Sequence, residues 1–174
     1  TSLYVYDVES ENAFKRNVLS AGCVARGISV KYFRPKIQLQ PNPCVNVIRV
    51  LFVGHPYCDD LHDYVLEALT NSHPVRAFYK PHPLAQMNER MNKLDWTVIR
   101  DKTHFPEVDM LVSYPSTLVV EYAAWNVPAV VHPMDLKVSD AQEFIESAKK
   151  QLDTYLPHLA NVANPDRPFE SAKG

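Results

Sequence analysis

Glycine is scarce, with 4 residues in a chain of 174. That scarcity excludes the glycine-rich phosphate loops of dinucleotide-binding and P-loop domains as the basis of a site. The first strand-to-helix junction reads Asp7, Val8, Glu9, Ser10, Glu11, Asn12 and holds no G-x-G-x-x-G. Cysteine is limited to Cys23, Cys44 and Cys58, an odd number with no C-x-x-C spacing. This argues against a disulfide framework and for reduced thiols in a cytoplasmic protein. No apolar run approaches the roughly 18 residues of a membrane-crossing helix, which leaves peripheral contact as the only membrane role in this reading. Positive charge is not in excess: 18 Lys and Arg against 20 Asp and Glu give a formal net charge of -2. Nucleic-acid binding driven by bulk charge is thereby excluded. The chain begins at Thr1 without a signal-peptide pattern and is read as a processed product or an excised piece of something longer.

What is present is proline, 14 residues, and a hydrophobic fraction of 46% beside 22% charged, the balance of a globular domain. Short apolar runs alternate with helix-period segments. Strands are expected over residues 3–6, 28–33, 47–53, 75–79, 96–99, 110–112 and 129–131, and helices over 10–25, 59–69, 84–94, 116–125 and 139–156. Residues 34–46, with three prolines and two asparagines, read as a linker or surface crossing. Strands alternating with helices imply a Rossmann-like, doubly wound, mostly parallel sheet with helices on both faces. Residues 1–164 are taken as one nucleotide-binding domain and 165–174 as a mobile tail. Trp96 and Trp125 are expected in the core or beside the sheet, and His73 in a solvated turn.

In such sheets ligands bind beyond the carboxyl ends of the strands. There the sequence gathers Gly54 and His55, then Lys80 and His82, then Asp101 and Lys102, then Ser113, Ser116 and Thr117, and finally His132. This is a set rich in hydrogen-bond donors and poor in nucleophile-base pairs, suited to an anionic ligand such as phosphate. His82 lies between two prolines that limit its freedom. Ser116 and Thr117 open a helix, where hydroxyls either cap the chain or meet an anion. Glu121, four residues after Thr117, either faces solvent or accepts from a pair of vicinal hydroxyls. Cys58 and His62, with His55, Asp59 and Asp60, form a local run of ligand-type residues. No zinc site is expected from it, because the first helical turn already uses its acidic groups.

Lys80-Pro-His82-Pro83, followed by Ser113-Tyr-Pro-Ser116-Thr117, Glu121 and Val127-Pro128, resembles the donor-binding half of GT-B glycosyltransferases. The nearest resemblance is to bacterial sialyl-, Kdo- and capsule-type transferases and to CDP-glycerol glycerophosphotransferases, over residues 47–135. The resemblance implies transfer of a sugar or polyol phosphate from a CMP-, CDP- or UDP-linked donor to a glycan acceptor, with no metal or cofactor, in polysaccharide biosynthesis. It assigns His82 to the donor phosphate, as the catalytic group, with a protonated ring contributing more than a neutral one. Ser116 and Thr117 would bind phosphate and Glu121 the ribose. Lys80 would either bind or support the loop, with Ser113, Gly54 and His55 nearby. The acidic general base usually comes from the acceptor-binding half, which this chain is too short to include. Residues 1–40 are then either the end of that missing half or extra strands of this one. A sugar-nucleotide 2-epimerase relative and a non-catalytic assembly module are the alternatives.

Overall fold

The computed structural model describes residues 2–5, 8–20, 22, 27–32 and 37–162. The expected tail, the thiol of Cys23 and parts of the expected helix 10–25 and of the stretch 34–46 lie outside the described residues. The chain divides into two compact units, Thr1–Lys36 and Ile37–Gly174.

In the first unit, strand β1 (Ser2–Val5) pairs in parallel with β2 (Ser29–Tyr32), Ser2 opposite Ser29 and Val5 opposite Tyr32. Helix α1 (Val8–Asn17) lies between them in sequence. Its first turn is acidic, at Glu9 and Glu11, and its last basic, at Lys15 and Arg16, the arrangement its dipole favours. Gly27, at φ 74°, supplies the left-handed turn before β2.

The second unit holds the candidate site residues. Its elements are β3 (Gln38–Gln40), β4 (Ile48–Val53), α2 (Asp59–Thr70), β5 (Val75–Lys80), β6 (Thr97–Val98) and β7 (His104–Pro106). They continue with β8 (Met110–Ser113), α3 (Thr117–Ala123), β9 (Ala129–Val131), α4 (Gln142–Asp153) and α5 (Leu156–Val162). A five-stranded sheet runs β6-β5-β4-β8-β9, and every pairing in it is parallel. The fold is α/β and Rossmann-like. Chain order runs outward from β4 to one side and then resumes at β8 on the other, so the switch point lies between β4 and β8.

Alternation along β4 builds both cores. Ile48, Val50 and Phe52 pack with Leu61, Val65 and Leu69 of α2 and with Ile145, Ala148 and Leu152 of α4. Leu51 and Val53 join Phe78, Phe105, Leu111 and Tyr122 on the opposite face. That second face is covered by the short helix α3 and by a two-stranded parallel sheet, β3 with β7, which no hydrophobic pattern announced. Among the described residues no helix is long and apolar enough to cross a membrane.

Three local expectations are corrected. The helix over 84–94 does not form; turns lead to a 3-10 segment, Glu89–Lys93. The Asn88 side chain accepts from the Arg90 N–H at 3.0 Å, a local bond that competes with helical pairing. Met91 is fully buried there and accepts at its carbonyl from Trp96 Nε1 at 2.6 Å. Trp96 stacks on Tyr79, ring centroids 4.4 Å apart, beside the sheet as expected. Trp125, by contrast, is 54% exposed, because α3 ends two residues earlier and Asn126, at φ 59°, turns the chain away toward β9. His73 is no solvated turn residue: its Nε2 meets Asp153 Oδ1 at 3.0 Å, tying the end of α2 to the end of α4.

Candidate functional site

The carboxyl ends of the central strands are level. Val53 pairs with Lys80 and Ser113 with Val131, and the Gly54 N–H donates to the Lys80 carbonyl at 2.8 Å. Above the switch point lies a cleft of about 500 Å³, lined by Gly54, Lys80, His82, Lys102, Phe105, Tyr114, Ser116, Thr117 and Glu121, among others. Six of the eight residues singled out from sequence line it: Gly54, Lys80, His82, Ser116, Thr117 and Glu121. His55 and Ser113 stand behind the wall.

The two histidines are fixed in the same way. His82 Nδ1 accepts the Leu84 N–H at 3.2 Å, and His55 Nδ1 accepts the Tyr57 N–H at 3.3 Å. An amide N–H can only donate, so each Nδ1 carries a lone pair and each ring proton sits on Nε2. In this geometry His82 presents its Nε2–H as a donor. His55 packs edge-on against His82 at 4.9 Å and against Tyr114 at 5.5 Å, which holds the His82 ring from behind.

Ser113 is fully buried, and its hydroxyl donates to the Tyr114 carbonyl at 2.6 Å. The single proton is thereby used, so the 3.0 Å contact with Ser116 Oγ is a donation from Ser116 to Ser113. A ligand that accepts from Ser116 must draw that proton away from Ser113. Thr117 and Lys102 are exposed, and among the described residues neither side chain makes a hydrogen bond or ion pair. Helix α3 has seven residues, too short for its dipole to carry the site alone.

Lys80 is chiefly a brace. Its ammonium donates to the carbonyls of Asp101 at 2.8 Å and Ile99 at 3.4 Å and lies 5.6 Å from the Phe105 ring centroid. Burial lowers its pKa. Glu121 is half-buried in the wall, and burial raises its carboxyl above the usual range. Gly54 serves packing. A Cβ there would overlap the tip of the Tyr79 ring, whose hydroxyl donates to the buried Asp59 at 3.0 Å. Asp60 is exposed and pairs with Arg90 at 2.5 Å. Neither acid faces the cleft.

His132, expected on the same rim, is 1% exposed and turned into the interior against His62 and Cys58. Phe105 and Tyr114 are cleft residues that sequence reasoning missed. Phe105 belongs to β7, whose His-Phe-Pro carries no periodic signal, and Tyr114 stood unremarked inside a quoted motif. Comparison with protein-family models, with curated proteins and with solved structures gives no match to this chain.

Proposed function

We propose that residues 37–162 form the nucleotide-donor-binding half of a glycosyltransferase that moves a sugar or polyol phosphate to a glycan acceptor. The observation that carries this reading is the cleft at the β4–β8 switch point, into which His82, Ser116, Thr117, Lys80, Lys102 and Glu121 converge. Departure of the nucleotide leaves negative charge on its phosphate oxygens. The Nε2–H of His82, held in place before reaction, and the Thr117 hydroxyl stabilise that charge, and the Lys102 ammonium adds an attractive field. Ser116 joins by exchanging Ser113 for the phosphate. Glu121 accepts from the ribose hydroxyls, and Tyr114 and Phe105 supply apolar surface. The acceptor hydroxyl attacks as the bond to the leaving phosphate breaks, and its proton passes to a base on an acceptor-binding half that closes the cleft.

Calorimetric titration with CMP, CDP and UDP tests this. One of them binds, and His82→Ala and Ser116→Ala each weaken it by about tenfold, the worth of one hydrogen bond to a charged group. Absence of binding by all three, or binding that neither substitution alters, overturns the reading.

A further inference from the structure

A second cluster of chemically active side chains lies inside the protein, apart from the cleft. Cys58 immediately precedes α2 and His62 lies four residues on, so helical spacing sets both on one face. The chain leaving β9 delivers His132 to the same point. One ligand atom from each of Cys58, His62 and His132 lies within 4.8 Å of the other two, and the residues are 1%, 0% and 1% exposed. Phe52 meets the His62 ring at 5.6 Å and Phe144 the His132 ring at 5.2 Å, which makes the surroundings apolar.

The hydrogen bonding of the two rings is incomplete in an informative way. His132 Nδ1 lies 2.8 Å from the Pro133 carbonyl, which can only accept, so that nitrogen holds the proton and Nε2 presents a lone pair. His62 Nε2 is 2.9 Å from it and must therefore donate. His62 Nδ1 is then a bare lone pair, buried with no partner among the described residues. A backbone carbonyl on the far nitrogen, aiming the near one inward, is also how metal-ligating histidines are commonly held. Burial keeps both rings neutral, moving His62 down to about 3 and His132 downward, and it pushes the Cys58 thiol up to about 11, with Asp59 adding to the effect.

We propose that Cys58, His62 and His132 form a buried binding site for a thiophilic d10 cation, Zn²⁺ or Cu⁺. Metal–nitrogen and metal–sulfur bonds of about 2.0–2.3 Å place neighbouring ligand atoms roughly 3.5 Å apart, between the 2.9 Å of the two imidazole nitrogens and the 4.8 Å that bounds the cluster. A thiolate with two imidazoles and no carboxylate selects soft and borderline ions over Mg²⁺ and Ca²⁺. On binding, the Cys58 thiol loses its proton to solvent as the metal–sulfur bond forms. His62 moves its ring proton from Nε2 to Nδ1, which frees Nε2 to ligate. The bound ion clips the start of α2 to the exit of β9. It thereby steadies the turn that carries His55, three residues before Cys58. The site does not depend on the nucleotide reading.

The test uses the full chain stripped of metal with a chelator, then titrated with Co²⁺, with Zn²⁺ against a chromophoric competitor, and anaerobically with Cu⁺ against a copper(I) chelator. The expected result is one equivalent bound, a thiolate-to-cobalt charge-transfer band, and a rise in Tm with Zn²⁺ or Cu⁺ but none with Mg²⁺. Which of the two binds more tightly distinguishes a zinc site from a copper site. Cys58→Ser, nearly isosteric, and His132→Gln each weaken binding by at least about 100-fold, whereas Cys44→Ser leaves it unchanged. Circular dichroism of each variant separates lost ligation from lost fold. No thiolate band in the wild type, or a band and affinity that persist in folded Cys58→Ser and His132→Gln, overturns the proposal.

Discussion

The two ends of the central sheet differ in what they leave open. At the amino end the charged pair Arg49 and Asp109 is answered from within. The Arg49 guanidinium meets Asp109 twice, Nη2 to Oδ1 at 2.6 Å and Nε to Oδ2 at 3.0 Å, and also donates to the Asn42 carbonyl at 3.0 Å. Asp109 takes the Arg49 backbone N–H as well, at 2.7 Å, and its carbonyl accepts from Tyr155 at 2.6 Å. At the carboxyl end His82 Nε2, the Thr117 hydroxyl and the Lys102 ammonium point into a cleft without internal partners among the described residues. A closed set of polar groups holds a fold together, and an open set waits for a ligand. That difference distinguishes a structural charge from a functional one where residue type alone does not.

The most forceful way to break the comparison is Asp109→Ala. It removes three bonds at once and leaves a half-buried guanidinium with only Glu107, 4.0 Å away, as counter-ion, for an expected loss of about 3 kcal/mol in urea unfolding. Nucleotide affinity should stay within about twofold, since the lesion lies at the far end of the strands. A loss below about 1 kcal/mol would mean that the amino end is no clamp. Gly54→Ala probes the one cleft residue assigned to packing. Forcing a methyl against Tyr79 costs about 2 kcal/mol by overpacking, and Tyr79→Leu, which removes the ring tip, should cancel most of that increment in a double-mutant cycle. His82→Ala tests the open set from the other side. Stability should move by less than about 0.5 kcal/mol while nucleotide affinity falls about tenfold. A larger change in stability than in affinity would return His82 to the structural class.

Asp101 gives a smaller effect with a defined pH signature. Its carboxylate accepts the N–H groups of His104 at 3.0 Å and Thr103 at 2.8 Å, which hold its pKa well below the ordinary value. A depressed pKa in the folded state contributes stability above the unfolded value of 3.8, lost as pH falls below it. The difference in Tm between wild type and Asp101→Ala should therefore be constant near neutrality and shrink below that value. A difference independent of pH would assign the effect to loop geometry alone.

Much of this was legible in the chain itself. Runs such as 50–53 and 110–112 are apolar without alternation, the mark of strands buried on both faces, and their ends set where a ligand could lie. Proline on either side of His82 marked it as a fixed residue. What escaped depends on distance in sequence. The run from His55 to His62 reads as ligand-type residues at a helix start, and the residue that joins Cys58 and His62 inside the protein, His132, arrives 70 residues later from the other side of β4. Residues 84–94 have a helix-like period, yet Asn88 and the burial of Met91 and Trp96 decide otherwise. Strands β3 and β7 have three residues each and no period to read. The tautomers of His55 and His82 follow from backbone N–H groups two residues ahead, which composition does not reveal.

The least costly change is the most discriminating. Glu121 is half-buried, and desolvation raises its carboxyl pKa above the ordinary value of 4.5. The folded state then binds its proton more tightly than the unfolded chain does. Its contribution to stability is therefore fully present below 4.5 and lost as pH rises through the folded value. Glu121→Gln removes a desolvated charge, so its Tm should exceed that of wild type at neutral pH and converge with it in acid. If the carboxylate accepts ribose hydroxyls, the same substitution must weaken nucleotide binding and spare binding of inorganic phosphate. A residue kept for the fold would not be destabilising where it is ionised; one kept for a ligand can be. Gain of stability with loss of nucleoside recognition is the expected pair, and gain of stability with unaltered recognition removes Glu121 from the site.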